Sequence, residues 1–249
     1  TGTTPFARGS YAASPVTIDN RYLAFGGVDV SNNLYNDTWA INLVVPTYES
    51  VPDSGKVPGP RIASMAINDT AQSRMVMFGG QTGTGVFYND SYQLRFGPVG
   101  APALTWSSLA TIGTTPTRFG AGDVYDPVNE RFLVLCGGIT LTPYTNDVWS
   151  LNLTTLQWSQ LAPFGQQPPP RSEPACEYDS IHRRVIMFGG LAADNTKLDD
   201  TWVLDLVSLT WTQVASDTLA FKPAGRFRMA HADDPERNRM LISCGISDF

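Results

Sequence analysis

Residues 185 to 202 combine an apolar run, a glycine pair and an acidic element that ends in tryptophan: Val185-Ile186-Met187-Phe188-Gly189-Gly190, eight further residues, then Asp199-Asp200-Thr201-Trp202. An apolar run of this length that ends in a glycine pair is typical of a short strand buried on both faces. Glycine at a strand end tolerates positive φ and leaves room for a neighbouring strand or ring. In another part of the chain, the segment Trp149-Ser150-Leu151-Asn152-Leu153 alternates between apolar and polar residues. This alternation predicts a strand with one face exposed to solvent.

The same features return along the chain and identify a repeat of 52 to 58 residues. The glycine pair returns in Phe25-Gly26-Gly27, Phe78-Gly79-Gly80, Cys136-Gly137-Gly138 and a degraded copy, Cys244-Gly245-Ile246. The polar-Asp-x-aromatic element returns as Asn36-Asp37-Thr38-Trp39, Asn89-Asp90-Ser91-Tyr92 and Asn146-Asp147-Val148-Trp149. An arginine opens each copy, and an aromatic residue closes the first four: Arg8, Arg61, Arg118, Arg171 and Arg226; Tyr48, Trp106, Trp158 and Trp211. Four markers in a fixed order indicate a repeat protein.

Each repeat predicts four short strands separated by turn residues such as Asp126-Pro127-Val128-Asn129, and no stretch has a helical period. A single four-stranded sheet cannot bury both faces alone. Stacking sheets around an axis buries them against each other and leaves few open edges.

These residues resemble the kelch repeat: an apolar run ending in Gly-Gly, then Asn-Asp-x-Trp, then Trp-x-x-Leu. Tyr48 and Tyr92 stand where the pattern has tryptophan, and Ile246 interrupts the last glycine pair. The resemblance implies an all-β, kelch-type β-propeller with one four-stranded blade per repeat. We expect one partial propeller domain over residues 1–249, with blades at about 8–51, 61–109, 118–161 and 171–214 and an incomplete blade at 226–249. A parent propeller of six or seven blades follows as an expectation.

Composition limits the function classes. The net charge of −6 argues against nucleic-acid binding, which needs a basic surface. No apolar run reaches the roughly 18 residues of a membrane helix, so direct membrane insertion is not expected. Scarce lysine, low charge and four sequons favour an extracellular or secretory glycoprotein, with a cytoplasmic protein as the alternative; the candidate glycosylation sites are Asn36, Asn68, Asn89 and Asn152.

The sequence offers little for catalysis, so we expect no enzyme, no cofactor and no metal. Cys136, Cys176 and Cys244 suit small buried hydrophobes, although a Cys136–Cys176 disulfide stays open. His182 and His231 lie in different repeats without matched ligand spacing. Acidic pairs such as Asp199-Asp200 fit the repeat better than a calcium site. Kelch-like propellers that resemble galactose oxidase are copper enzymes, which leaves an enzyme with its site in absent blades as an alternative.

We therefore expect a non-catalytic scaffold that binds a protein partner through loops at one face, with a lectin-like glycan-binding role as another alternative. Loops carry binding residues on rigid scaffolds, and aromatic side chains there make good anchors or cover the blade rims. The candidates are Tyr35, Phe87, Tyr88, Tyr144, Phe164 and Phe221. The five arginines either form an arc that receives an acidic segment, or bond to carbonyls and to Asp37, Asp90, Asp147 or Asp200 within the repeats.

Overall fold

The computed structural model describes residues 4–16, 20–52, 54–96, 104–140, 143–214, 222–237 and 239–247. The chain divides into two compact units. Unit 1 comprises Thr1–Phe119, Pro127–Arg131 and Asn152–Trp158, and unit 2 comprises Gly120–Asp126, Phe132–Leu151 and Ser159–Phe249.

Each of the four complete repeats forms one sheet whose four main strands are antiparallel. Sheet 1 contains β1 (Ala12–Val16), β2 (Arg21–Phe25), β3 (Thr38–Asn42) and β4 (Thr47–Val51); sheet 2 contains β5 (Met65–Asp69), β6 (Arg74–Phe78), β7 (Ser91–Arg95) and β8 (Thr105–Ser108). Sheet 3 contains β9 (Gly122–Asp126), β10 (Arg131–Gly138), β11 (Tyr144–Asn152) and β12 (Trp158–Leu161). Sheet 4 contains β13 (Phe164–Gly165), β14 (Ala175–Asp179), β15 (Arg184–Leu191), β16 (Lys197–Asp205) and β17 (Thr210–Val214). In each sheet, the four main strands pair in chain order, as a meander.

The fifth repeat forms two short antiparallel pairs. Strands β19 (Ala230–Asp234) and β20 (Arg239–Ser243) pair with each other, and β18 (Arg226–Phe227) pairs with β21 (Ile246–Ser247). Within the described ranges, the only helix is a single 3-10 turn at Pro235–Arg237. Here too, no helix is long and apolar enough to span a membrane. The prediction of an all-β chain with four complete blades is confirmed.

In the third and fifth repeats, the positions of the glycine pair begin one residue earlier than the sequence pattern predicts. Counted from the opening arginine, the residue 18 positions later has positive φ in every repeat: Gly26, Gly79, Cys136, Gly189 and Cys244. Gly137, not Gly138, takes the second place of the pair, because its N–H donates to the Arg171 carbonyl at 2.8 Å as that of Gly80 does to the Arg118 carbonyl. The expected pair Gly137-Gly138 is therefore Cys136-Gly137, and the expected Cys244-Gly245-Ile246 copy is centred on Cys244-Gly245.

This correction also explains the cysteines. Cys136 and Cys244 replace glycine where positive φ is required, at a cost of about 1–2 kcal/mol for a residue with a Cβ. Cys136 and Cys176 are buried as expected, whereas Cys244 is exposed, so the expectation of burial is wrong there. None of the three forms a disulfide, and the Cys136–Cys176 bridge is not made. Burial and the nearby Cys136 raise the pKa of the Cys176 thiol well above its usual value.

The linkers between repeats are partly strands, not simple loops. In the first two linkers, Gly55 bridges Trp106 and Ile112 bridges Gln157, both in parallel. In the third linker, β13 pairs in parallel with β17, the last strand of the following repeat. Each of these three linkers thus adds an edge segment beside the outer strand of the next sheet. Parallel pairing of one or two residues leaves no periodic pattern in the sequence that could predict it.

Replacing Gly79 with alanine is expected to destabilise unit 1 by about 3 kcal/mol or more. A Cβ there would overlap the carbonyl oxygen of Arg118, and φ of +66° adds strain. Gly85→Ala is the matched control, because Gly85 also has positive φ but nothing lies within 4 Å of its added Cβ, so about 1 kcal/mol is expected. Denaturant unfolding measures both. Equal losses would show that the close approach at Gly79 is unimportant.

Candidate binding face

In two repeats, the opening arginine uses four of its five guanidinium donors inside its own repeat. In Arg61 and Arg171, Nη1 donates to the carbonyl 18 residues later, Gly79 or Gly189, at 3.0 and 2.9 Å. Nη1 and Nη2 together hold an aspartate 29 residues later, Asp90 or Asp200, in a fork of 2.6–3.0 Å. Nε donates to the carbonyl two residues earlier, at 3.1 Å in both. Four hydrogen bonds thus occupy a guanidinium that is 2% exposed or less.

The other three arginines show the same pattern in part. Arg8 forks onto Asp37 and also donates to the Gly26 carbonyl at 3.2 Å. Arg226 donates to the Cys244 carbonyl at 3.0 Å, so the 18-residue bond survives in the fifth repeat. Arg118 is buried and donates to the Thr117 carbonyl at 2.7 Å. Bonds of this kind are what the structural interpretation of the arginines expects, and the arc that binds an acidic segment stays a prediction.

The aspartate of the fork also explains the Asp-x-Trp element. The indole Nε1 of Trp39, Trp149 and Trp202 donates to the aspartate two residues earlier, at 2.7 Å in each case. Burial alone would raise the pKa of Asp37 and Asp200, but the hydrogen bonds from arginine and tryptophan outweigh it and lower both pKa values. These carboxylates are therefore ionised at neutral pH and complete a charged, hydrogen-bonded pair.

The backbone of the arginine joins its repeat to the one before. The N–H of Arg61 donates to the Tyr35 carbonyl at 3.4 Å, and its own carbonyl accepts from Gly27 at 3.1 Å. Arg171 has the equivalent bonds with Thr145 and Gly137, at 3.1 and 2.8 Å. One residue therefore fixes the glycine pair, the aspartate and the preceding sheet.

Two of the expected aromatic anchors support the arginines. The guanidinium carbons of Arg8 and Arg61 lie 4.0 Å above the ring centroids of Tyr35 and Tyr88, a cation–π distance. Both tyrosines are half-buried. Their rings therefore present only part of their surface to a partner.

The remaining aromatic candidates fall in different places. Phe87 packs on Phe119, with ring centroids 5.3 Å apart. Tyr144 is not in a loop but begins β11, and burial raises its pKa. Phe164 is exposed but lies in β13 at the outer edge of sheet 4, rather than at a loop tip. Phe221 lies outside the described residues.

Loop 28–35, between β2 and β3, is ordered by its own side chains. Asp29 accepts hydrogen bonds of 2.9 Å from the N–H of Ser31, the N–H and amide of Asn33, and the hydroxyl of Tyr35. These hydrogen bonds, above all the two from Asn33, lower the pKa of Asp29 to about 2. The neighbouring loop, 81–88, is closed by a 3.0 Å bond from the Thr82 N–H to the Val86 carbonyl.

These ordered loops present apolar tips. Val30 is 97% exposed and Val86 is 51% exposed. The loops lie beside each other in unit 1, because Arg61 bonds the Tyr35 carbonyl and stacks over Tyr88. We call loops 28–35 and 81–88 the loop face. Neither valine was among the sequence candidates, since nothing in the repeat pattern distinguishes a loop tip from a loop base.

A second set of repeated arginines was not among the residues predicted from the sequence. The residue 13 positions after the opening arginine is again arginine in all five repeats: Arg21, Arg74, Arg131, Arg184 and Arg239. Arg74, Arg184 and Arg239 bond the aspartate five residues earlier at 2.7–2.8 Å. Arg74 also donates to the Leu153 carbonyl at 2.9 Å, which ties repeats 2 and 3. Its constant spacing was the signal that could have revealed it.

Each of the two histidines pairs with a carboxylate. His182 Nδ1 lies 2.8 Å from Asp179, and His231 Nδ1 lies 2.8 Å from Glu177. The described residues contain no group of three or more His, Cys, Asp or Glu side chains suited to a metal. Two of the four sequons also serve the fold, since Asn68 lies within β5 and Asn152 caps the turn at Thr154 and Thr155. Asn36 and Asn89 are exposed.

The comparison with protein families agrees with this architecture. The model of the KLHDC2/KLHL20/DRC7 Kelch-repeats domain matches residues 2–245. The chain belongs to this kelch family. A solved structure, that of YjhT, superimposes with a TM-score of 0.72 at 14% identity, covering 96% of this kelch chain and 78% of YjhT, so the two chains share a fold.

This chain matches only a small part of each curated relative, because the relatives are much longer proteins. The Chlamydomonas reinhardtii dynein alpha chain of the flagellar outer arm is 28% identical over 241 residues, covering 91% of this chain but 5% of the dynein. Dynein regulatory complex subunit 7 of the same organism is 34% identical over 79 residues, covering 32% of the chain and 7% of that subunit. Host cell factor 1 of Homo sapiens is 26% identical over 198 residues, covering 70% and 9%.

Replacing Arg171 with alanine is expected to destabilise unit 2 by about 3–5 kcal/mol, because Asp200 would keep its charge without its buried partner. Arg237→Ala is the control: its bond to Asp234 is 3.4 Å long and its side chain is 63% exposed, so a surface-scale effect is expected. Urea unfolding followed by tryptophan fluorescence measures both. An Arg171→Ala protein as stable as the control would remove the fork from the structural account.

Acid is expected to weaken the same forks. Because the folded-state pKa of Asp200 is lowered, its contribution is complete above the unfolded value of about 3.9 and is lost as pH falls through the folded value. The free energy of unfolding should therefore decline less steeply below about pH 4 in Asp200→Asn than in the wild type. Asp199→Asn, which leaves the fork intact, should retain the wild-type slope. Identical slopes in all three proteins would contradict the assignment.

Proposed function

We propose that this kelch chain is a non-catalytic protein-interaction module and that its loop face contacts the partner. The observation that carries the proposal is the separation of roles within unit 1. The repeated arginines bond to the repeated aspartates and to glycine carbonyls inside the sheets. In contrast, Val30 and Val86 are exposed, on loops that are closed by their own hydrogen bonds. A loop that is ordered before binding loses less conformational entropy on association.

The arginines support the fold in this proposal rather than receive an acidic segment. A carboxylate of a partner would need free guanidinium donors, but Arg61 and Arg171 already make four hydrogen bonds each. The contacts that remain are the apolar loop tips, together with the exposed edges of Tyr35 and Tyr88. A partner with an apolar segment fits this surface.

We propose an intracellular setting, which was the alternative in the sequence analysis. The names of two relatives, an outer-arm dynein of the flagellum and a dynein regulatory complex subunit, support a role as one module of a large cytoplasmic assembly. The extracellular expectation depended on scarce lysine, low charge and four sequons, and two of those sequons, at Asn68 and Asn152, are used by a strand and a turn. The relatives give no support to glycosylation or to glycan binding.

Photo-crosslinking tests the loop face. A photoreactive amino acid at position 30 or 86, in cells that make the native partner, should capture the same polypeptide from both positions. Val30→Asp should reduce capture from position 86 about tenfold, because a buried charge replaces an apolar contact, without altering the melting temperature. A photoreactive residue at position 44, in the turn between β3 and β4 at the opposite end of the strands, is the control. Equal capture from position 44 would contradict the proposal.

A further inference from the structure

Three sulfur-bearing side chains meet in the core of unit 2. Cys136 lies in β10 of sheet 3, and Cys176 and Met187 lie in β14 and β15 of sheet 4. All three belong to one hydrophobic cluster, and each is 1% exposed or less. The thiol of Cys136 lies 4.0 Å from the thioether sulfur of Met187. Cys176 is paired directly with Met187 in the antiparallel ladder, so these two side chains lie side by side on one face of sheet 4.

The packing of neighbouring repeats does not require this combination of residues. The positions equivalent to Cys136, Cys176 and Met187 hold one sulfur atom between repeats 1 and 2, and none between repeats 2 and 3 or between repeats 4 and 5. The residues there are Gly26, Ala66 and Met77; Gly79, Asp123 and Val134; and Gly189, His231 and Ile242. Three sulfur donors therefore coincide at one of the four junctions between repeats.

Cys136 occupies a backbone position that favours glycine. Its φ is +61°, and the equivalent residue is glycine in repeats 1, 2 and 4. A side chain in this conformation persists only where the surrounding structure compensates for the strain, and such residues cluster at functional sites. Cys244 has the same position in the fifth repeat, but it is exposed and lies outside the sulfur cluster. The thiol at position 136 is therefore kept at a cost, inside the core.

Gly122 of β9 leaves the space that the thiol of Cys176 fills. A Cβ added at Gly122 would overlap the Cys176 Sγ. The equivalent residues in repeats 1, 2 and 4 all have a side chain: Ala12, Met65 and Ala175. Glycine at position 122 therefore matches the cysteine that faces it, and the sulfur cluster has its own local accommodation.

The ligand types indicate a soft metal ion. Thiolate and thioether sulfur together select Cu(I), whereas zinc takes cysteine, histidine or carboxylate ligands and usually four of them. Over the described residues, no group of three or more His, Cys, Asp or Glu side chains is suited to a metal, so the thioether of Met187 is what completes this set.

The spacing of the sulfur atoms fits one ion. Two sulfurs that each lie about 2.3 Å from a metal, at an angle of about 120°, are about 4.0 Å from each other. The observed distance between Cys136 Sγ and Met187 Sδ is 4.0 Å. These two sulfurs can therefore bind a trigonal ion without a change in their separation.

We propose that Cys136, Cys176 and Met187 form a trigonal binding site for one Cu(I) ion at the junction of repeats 3 and 4. Both thiols release their protons to solvent as their sulfurs bond the ion, because the thiolate is the form that binds metal. The ion joins β10 of sheet 3 to β14 and β15 of sheet 4 and has no ligand position open to solvent, as in a structural metal site. This site is independent of the loop face.

Burial determines how the site is filled. Because the three side chains are almost inaccessible, an ion reaches them only when the junction opens or while the chain folds. Cu(I) is therefore expected to load readily during refolding and slowly into the folded chain. An ion that binds only the folded state also stabilises it.

Anaerobic refolding of the whole chain with Cu(I) tests the proposal. After gel filtration in the presence of a Cu(I) chelator, the wild type should retain one copper per chain. X-ray absorption should show three sulfur neighbours at about 2.3 Å from the copper. The melting temperature of the loaded protein should exceed that of the copper-free protein.

Three variants remove the ligands one at a time. Cys136→Gly and Cys176→Ala introduce residues that other repeats have at these positions, so both variants should fold, which circular dichroism checks. Each should weaken Cu(I) binding about 100-fold or more, since even the loss of a residue that only supports a ligand costs about 10–100-fold. Met187→Leu keeps the apolar volume and should weaken binding about tenfold or more.

Cys244→Ser is the matched control, because it removes the third cysteine of the chain and leaves the cluster intact. It should bind one Cu(I) with the affinity of the wild type. A wild-type chain that retains no copper would overturn the proposal. So would copper that is lost in Cys244→Ser but kept in Cys136→Gly, or an X-ray absorption spectrum of the wild type without three sulfur neighbours.

Discussion

The fold depends on the arginine that opens each repeat. A guanidinium presents five donors in a rigid plane, and in Arg61 and Arg171 four hydrogen bonds are made to groups brought from 18 and 29 residues away and from two residues back. Such an arginine closes its own sheet at the glycine pair and at the third strand. Its backbone is bonded to the preceding repeat at the same time, so the spacing within a sheet and the approach of two sheets are set by one residue. A buried pair of this kind tolerates little change, because removing either partner leaves an unpaired charge.

This constraint explains why so much of the fold could be predicted. The aspartate lies 29 residues after the opening arginine in each of the first four repeats, and hydrogen bonds join the two in three of them, so these markers keep a constant spacing in the sequence. The arginine, Asp-x-Trp and closing aromatic therefore predicted four sheets with correct strand order. The role of the arginines was less accessible. Spacing puts Asp90 a constant 29 residues after Arg61, but only the structure shows that four of the five guanidinium donors of Arg61 are used within the repeat.

Other features escaped the sequence for identifiable reasons. The pattern Cys136-Gly137-Gly138 looks like Phe25-Gly26-Gly27 in the sequence. In the structure, however, the first residue with positive φ lies 18 residues after the opening arginine, and in the third repeat that residue is Cys136. The parallel pairing of β13 with β17 depends on two backbone positions and has no side-chain signature. The exposure of Val30 and Val86 depends on how Asp29 and Thr82 close their loops, and those contacts differ between repeats. The second set of arginines differs from these features, because its constant distance of 13 residues from the opening arginine is visible in the sequence and could have been used.

Packing between neighbouring repeats uses side chains of the sheets and not of the loop tips. In unit 1, Phe25 of sheet 1 meets Trp106 of sheet 2 with ring centroids 5.0 Å apart. In unit 2, Leu133 and Leu135 of sheet 3 share a core with Trp211 of sheet 4. The exposed loop tips at Val30 and Val86 belong to neither core. They are therefore free to differ between repeats and to recognise a partner without disturbing the packing of the sheets.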